Sequence, residues 1–339
     1  IPYDTNDNLS FGIEATIYEG LVTFDKNMKI VPQLAESWEA SPDATKFTFH
    51  LNPNAKFSDG SPVDAAAVKA SFEWLLNPDN QFKRYTLYQV IDRIEAVDAH
   101  TVTFYLKQPF GAMIPTFAHP AGKVINPKVL SKGKEYLTRS PEGGSGPFIF
   151  KEWRQGDHIT VVKNPNYWDA AKAAKVDSIT FRPIPEAQTR VAGLRTGEIQ
   201  FVSPLPGDQA LALKDSAEVQ VESSPSIYSF YMAPNVTKKP FDDVRVRQAM
   251  NYAVDRDAIR NVVLRGFAQE IHSPLAESVQ HATSVGTYTH DVAKAKTLLA
   301  DAGYANGFEA TVWLSNETER QRLAQALQQQ LGEVGIKLN

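Results

Sequence analysis

Cysteine is absent from the 339-residue chain, which excludes disulfides, thiolate metal sites, iron–sulfur clusters and cysteine nucleophiles together. The absence is compatible with export to an oxidising compartment. No run of about 18 apolar residues occurs, so no segment is a candidate for a helical membrane span. Blocks of like charge are missing too, and 35 basic against 39 acidic side chains leave a net charge of −4. A nucleic-acid or anionic-membrane binder needs a basic face, and this balance argues against one. Enzyme signatures are equally scarce. There is no Gly-x-Ser-x-Gly elbow and no Gly-x-Gly-x-x-Gly turn, and Gly143-Gly144-Ser145-Gly146 lacks the spacing and the lysine of a phosphate loop. The seven histidines never pair at the i+3 or i+4 spacing of a helical metal site. No catalytic residue, resident metal or cofactor is assigned, and a non-enzymatic role is expected.

What is present reads as an ordinary globular chain. Hydrophobic residues make up 42% and charged residues 22% of it, and the length exceeds one comfortable core, so two or three domains are expected. Ile13, Ile17 and Leu21 recur every fourth residue, which predicts a helix over 8–19 with Gly20 as a left-handed cap. Phe47, Phe49 and Leu51 alternate with polar residues as a half-buried strand does, and Val102, Phe104 and Leu106 repeat the pattern. Ser61 as N-cap, Pro62 in the first helical position and Asp64 in the first turn open a helix with Val68, Phe72, Leu75 and Leu76 on its apolar face.

Residues 143–147 read as a flexible turn before strands at 148–150, 159–162 and 179–181. A helix over 186–196 stops at Gly197, and an alternating strand covers 219–221. Beyond 235 helices dominate: one capped by Asp242 or Asp243, a short one ended by Gly266, one from Asp291 to Gly303, and a last one carrying Leu323, Leu327 and Leu331. Val312 and Leu314 suggest one more strand. Helices interleaved with single strands imply an α/β class. The chain opens Ile1-Pro2-Tyr3 without Met and closes on the alternating residues 335–339, so the expectation is a piece of a longer, exported protein whose leader has been removed.

Several segments, taken in order, resemble the family 5 extracellular solute-binding proteins of ABC importers, which take up peptides, nickel and glutathione. They are Tyr18-Glu19-Gly20-Leu21-Val22, Pro32-Gln33-Leu34-Ala35-Glu36-Ser37-Trp38, Phe57-Ser58-Asp59-Gly60-Ser61-Pro62-Val63, Gly144-Ser145-Gly146-Pro147-Phe148, Asn164-Pro165-Asn166-Tyr167-Trp168 and Pro240-Phe241-Asp242-Asp243-Val244-Arg245-Val246-Arg247-Gln248-Ala249. Within the family the likeness runs to its glutathione-binding members, through Pro2-Tyr3-Asp4-Thr5-Asn6-Asp7, Lys83-Arg84-Tyr85-Thr86-Leu87-Tyr88, Leu106-Lys107-Gln108-Pro109-Phe110, Ala118-His119-Pro120-Ala121 and Ser224-Pro225-Ser226-Ile227.

The resemblance implies a two-lobed periplasmic-binding-protein-like α/β fold of type II, with an extra inserted subdomain and an incomplete second lobe. Residues 1–45 and 165–235 would form the first lobe, 46–164 its insert and 236–339 part of the second lobe, after a crossover strand at 228–235. It implies capture of a small peptide-like solute, glutathione or a di- or oligopeptide, by hinge closure in the periplasm. Delivery would be to an inner-membrane ABC permease, and the complete protein would be a monomer without a cofactor. A nickel-chelate or haem-binding member of the same family stays open as the alternative, with His119 on the metal side.

Candidate ligand contacts follow from residue chemistry and from this resemblance. Arg84 puts a permanent charge among Phe82, Tyr85, Leu87 and Tyr88; its fork matches a carboxylate bidentately, though an arginine packed on rings fits as well. The resemblance places Asn6, Asn8 and Phe11 at the border of the cleft, where the amides and the helix N-terminus suit a carboxylate and where Asn8 alternatively serves as N-cap. His119, before Pro120, faces either the cleft or a loop partner. Tyr228 and Tyr231, on opposite faces of the expected crossover strand, line either core or cleft.

Overall fold

In the computed structural model, which describes residues 1–279 and 281–339, the chain forms two compact units, Ile1–Pro183 and Ile184–Asn339. The first is built on sheets. Strands Ala35–Ala40, Lys46–Leu51, Thr101–Leu106 and Ile91–Asp98 lie side by side in that order, all antiparallel. The alternating residues meet in register, Phe47 opposite Phe104 and Phe49 opposite Val102, so one face of the sheet presents aromatic and branched side chains together. Helix Ala65–Leu76 lays Val68, Phe72 and Leu75 on that face, and Phe49, Phe72, Phe104 and Phe117 meet edge to face or tilted at 4.6–5.8 Å. Residues of 1–45 and of 46–164 share this one core: Tyr3, Leu21 and Leu34 pack with Phe57, Phe104 and Ile125. A second antiparallel sheet, Phe148–Arg154, His158–Lys163 and Ser178–Phe181, completes the unit with the ribbon Val22–Phe24 and Ile30–Pro32.

The second unit is mainly helical. Val246, Ala249, Met250 and Ala253 of helix Val244–Ala253 form a core with Ala295 and Leu299 of helix Val292–Asp301 and Leu331 of helix Thr318–Gly332. Strands Phe308–Ala310 and Ile336–Leu338 pair in parallel beside them. Among the described residues no helix is long and apolar enough to cross a membrane.

Several local expectations change. The first helix is Asn8–Ile17, and the chain leaves it extended at Tyr18 (φ −114°, ψ 143°), so Gly20 is not a left-handed cap but bridges Lys123. Asp7 rather than Asn8 is its N-cap, accepting from the Ser10 amide at 2.8 Å. The next long helix starts at Ala65 with Asp64 as cap, because Asp59 already holds the Ser61 amide and hydroxyl. Residues 219–221, 228–235 and 312–314 alternate in sequence but carry no sheet ladder among the described residues; the strand near 312 lies instead at Phe308–Ala310, where Ile336–Leu338 is available to pair. Alternation supplies two faces, and without a neighbour it does not make a strand.

The turn at 143–147 is tight, not flexible. Gly144, Ser145 and Gly146 are buried, the Gly146 amide donates to the Ile17 carbonyl at 2.8 Å, and the Ser58 amide donates to the Gly144 carbonyl at 2.9 Å. A β-carbon on Gly144 would stand 1.9 Å from the Ile17 carbonyl oxygen. Gly144→Ala must therefore separate two backbones, and we expect it to lower unfolding stability by about 3 kcal/mol, measured by urea titration. A loss below about 0.5 kcal/mol would show that this contact yields freely.

Candidate functional site

Helix Asn8–Ile17 buries Phe11, and two other expected contacts converge on that ring. The Arg84 guanidinium lies over it at 5.4 Å, and the His119 imidazole meets it edge to face at 5.7 Å and 87°. The arginine is held locally. The segment at 3–5 runs beside 83–84, with the Arg84 amide donating to the Tyr3 carbonyl at 3.0 Å and the Arg84 Nε to the Thr5 carbonyl at 2.9 Å. Its two terminal amino groups have no protein partner among the described residues. The result is a half-buried guanidinium, fixed at Nε and backed by a ring, whose outer N–H groups remain available as donors.

His119 caps the short helix Met113–Ala118 and starts a turn in which the Gly122 amide donates to its carbonyl at 2.7 Å. Its Nδ1 accepts the Ala121 amide at 3.0 Å. Burial first, then the Arg84 and Lys123 charges, hold its pKa below the ordinary histidine value, so the ring is neutral near pH 7.

The remaining expected contacts are placed elsewhere. Asn6 and Asn8 stand exposed, and the acceptor at the helix N-terminus is the Asp7 carboxylate, which disfavours a second anion there. Tyr88 is fully enclosed in the core, with its hydroxyl donating to the Thr116 carbonyl at 2.8 Å, so it presents no surface to a ligand in this structure. In the second unit, Tyr228 meets Phe230 edge to face at 5.2 Å, takes a hydrogen bond from Arg320 on its hydroxyl, and lies under the same guanidinium. Tyr231 is 84% exposed.

Glu19 and Lys123, which sequence reasoning passed over, are buried charged residues of the first unit. Glu19 is buried and accepts from the Tyr167 hydroxyl and the Trp168 indole, each at 2.8 Å, with burial as the main cause that raises its pKa. Lys123 is buried with no hydrogen-bond partner for its ammonium among the described residues, and burial, only partly offset by Glu19 and Glu14, pushes its pKa down to about 8. An open groove of about 680 Å³ also exists along strand Ile91–Asp98 and helix Ala65–Leu76. Four of the charges that line it are paired, Arg93 with Glu95 at 3.1 Å and Lys69 with Glu73 at 3.8 Å.

Comparison with known proteins decides the family. The profile of the bacterial extracellular solute-binding proteins, family 5 Middle, matches residues 29–339. The chain belongs to this family. It is 44% identical over 338 residues to glutathione-binding protein GsiB of Pectobacterium atrosepticum, covering 99% of this chain and 65% of that protein. The chain thus spans just under two thirds of the length of this relative. Among solved structures, the periplasmic binding protein AgaA of A. tumefaciens R10 in complex with agropinic acid is 34% identical with a TM-score of 0.81, over 97% of this chain and 67% of that one. The ABC transporter-associated periplasmic binding protein DppA of Helicobacter pylori, in complex with the peptide STSA, is 28% identical with a TM-score of 0.84, over 100% of this chain and 70% of that one. The expected α/β class, in the form of the type II binding proteins, therefore stands.

Lys123 generates a pH prediction. Its folded pKa lies below the unfolded lysine value, so between pH 8 and about 10.4 the unfolded chain binds more protons and stability rises with pH. Measured by urea titration, the stability of the protein relative to Lys123→Met should increase by about 2–3 kcal/mol across that window. A flat difference would show that the ammonium is solvated in the folded state.

Proposed function

We propose that this chain is the solute-capturing part of a periplasmic component of an ABC importer and that its solute is small and peptide-like, with glutathione foremost. In this reading the protein binds and releases without chemistry, and a permease receives the solute. Capture follows closure of two lobes, the first drawn as 1–45 and 165–235 with 46–164 as its insert, the second beginning at 236. A ligand that contacts both lobes favours the closed state by its differential affinity.

The observation that carries the reading is Arg84, with its Nε tied to the Thr5 carbonyl, its plane over Phe11 and its outer amino groups unpaired among the described residues. That is the arrangement a carboxylate needs: an oriented fork and an apolar backing that keeps water from competing. Three of the relatives support this reading, since glutathione, agropinic acid and a peptide all bring carboxylates.

Isothermal calorimetry of the intact protein with glutathione, a dipeptide and chelated nickel tests the reading. Glutathione is expected to bind in the micromolar range or tighter, and Arg84→Ala to weaken it at least tenfold, about 1.4 kcal/mol. Arg84→Lys should recover only part of that loss, because an ammonium lacks the fork. Unchanged affinity in Arg84→Ala would remove Arg84 from the site.

A further inference from the structure

We infer that His119 reads the solute as a hydrogen-bond donor through Nε2, selecting an acceptor oxygen of a carboxylate or amide and rejecting a metal ion. The inference rests on the solute reading above and extends it to the choice between organic and metal-bearing ligands.

The argument begins with a backbone amide, which can only donate. The Ala121 N–H points at His119 Nδ1 from 3.0 Å, so Nδ1 must present its lone pair. A neutral imidazole has a single N–H, and with Nδ1 taken as acceptor that hydrogen sits on Nε2. The turn that imposes this has little freedom. Ala121 and Gly122 are buried, the Gly122 amide holds the His119 carbonyl at 2.7 Å, and a β-carbon on Gly122 would stand 2.3 Å from the Phe117 carbonyl oxygen. The ring itself is steadied edge-on against Phe11.

Metal ligation requires a bare ring nitrogen, and both are compromised. At Nδ1 the lone pair already faces the Ala121 N–H. At Nε2 the proton would have to move to Nδ1, which sets two N–H groups against each other and leaves the buried Ala121 amide without an acceptor. The charges that face the ring act the same way: Arg84 and Lys123 are both cationic, so a dication beside His119 meets repulsion. A carboxylate there meets attraction, and on this inference Nε2–H serves as a donor alongside Arg84, both residues resting on the Phe11 ring.

Long-range proton–nitrogen NMR of the uniformly ¹⁵N-labelled intact protein reads the tautomer directly, with the His119 signals identified by their loss in His119→Asn. Nδ1 is expected bare and Nε2 protonated near neutral pH. Divalent nickel alone should leave these signals in place, while glutathione shifts Nε2. The variants then separate this inference from the solute reading. His119→Asn keeps an acceptor for Ala121 but lacks the outer donor, and should weaken glutathione about tenfold; His119→Gln, whose amide nitrogen falls near Nε2, should recover part of it. A protonated Nδ1, or nickel binding that His119→Asn abolishes, overturns the inference. Full glutathione affinity in His119→Asn together with weakening in Arg84→Ala overturns it and leaves the solute reading intact. Full affinity in both overturns the two together.

Discussion

The buried carboxylate of Glu19 is the constraint on which the first unit depends. An ionised or protonated carboxyl inside a protein is tolerated only when its oxygens are satisfied. Here the Tyr167 hydroxyl and the Trp168 indole each bring a donor to 2.8 Å. Those donors arrive from the turn after strand His158–Lys163, whose Asn164 side chain in turn holds the Gly146 carbonyl at 2.9 Å. Gly146 and Gly144 press backbone to backbone against the end of helix Asn8–Ile17. So one buried acid ties the second sheet, the glycine turn and the first helix into a single node. Phe11, the first residue of the buried stripe Phe11, Glu14 and Ile17, is held on that helix, and Arg84 and His119 lean on Phe11.

This node explains why the segments that carry the family resemblance say more about fold than about ligand. Tyr18-Glu19-Gly20, Gly144-Ser145-Gly146-Pro147 and Asn164-Pro165-Asn166-Tyr167-Trp168 bind one another, leaving them little to offer a solute. A resemblance built on such residues fixes architecture across relatives solved with agropinic acid and with the peptide STSA. What differs between them must reside in groups that the node positions without consuming.

The fold was legible where periodicity had a partner to act on. Phe47, Phe49 and Leu51 could be read as a strand, and the ladder to Val102 and Phe104 exists because both stretches carry the same period. Residues 219–221 and 228–235 show a similar period with no ladder, because pairing is a property of two segments and a sequence displays one at a time. Capping failed for a related reason: Ser61 is a good N-cap in isolation, but Asp59 takes its hydroxyl and Asp64 is left to cap helix Ala65–Leu76. At the site, Arg84 is conspicuous in the sequence as a permanent charge in an aromatic-rich segment. Its actual ring partner is Phe11, far off in sequence, while nearby Tyr88 turned inward to the Thr116 carbonyl. Lys123 gave no signal at all, since a buried lysine looks like any other until the chain closes around it.

Charge organisation completes the picture. The chain as a whole is slightly acidic, with a net charge of −4, yet the groups gathered around Phe11 are basic. Glu14 and Glu19 lie buried rather than at the surface: Glu14 takes the Thr5 hydroxyl on Oε1 at 2.8 Å, with no hydrogen-bond partner for its Oε2 among the described residues, and Glu19 takes the two aromatic donors. They temper the Lys123 ammonium from within and present no negative charge outward. A field built this way attracts an anionic group without attracting cations to the same spot, and the apolar Phe11 ring, by displacing water, limits the screening of that attraction. In the reading proposed above, donors consisting of an arginine fork and a neutral imidazole would favour a planar, oxygen-bearing guest. A spherical ion would use the charge and waste the geometry, and that difference in fit, more than total charge, separates carboxylates from inorganic anions at such a site.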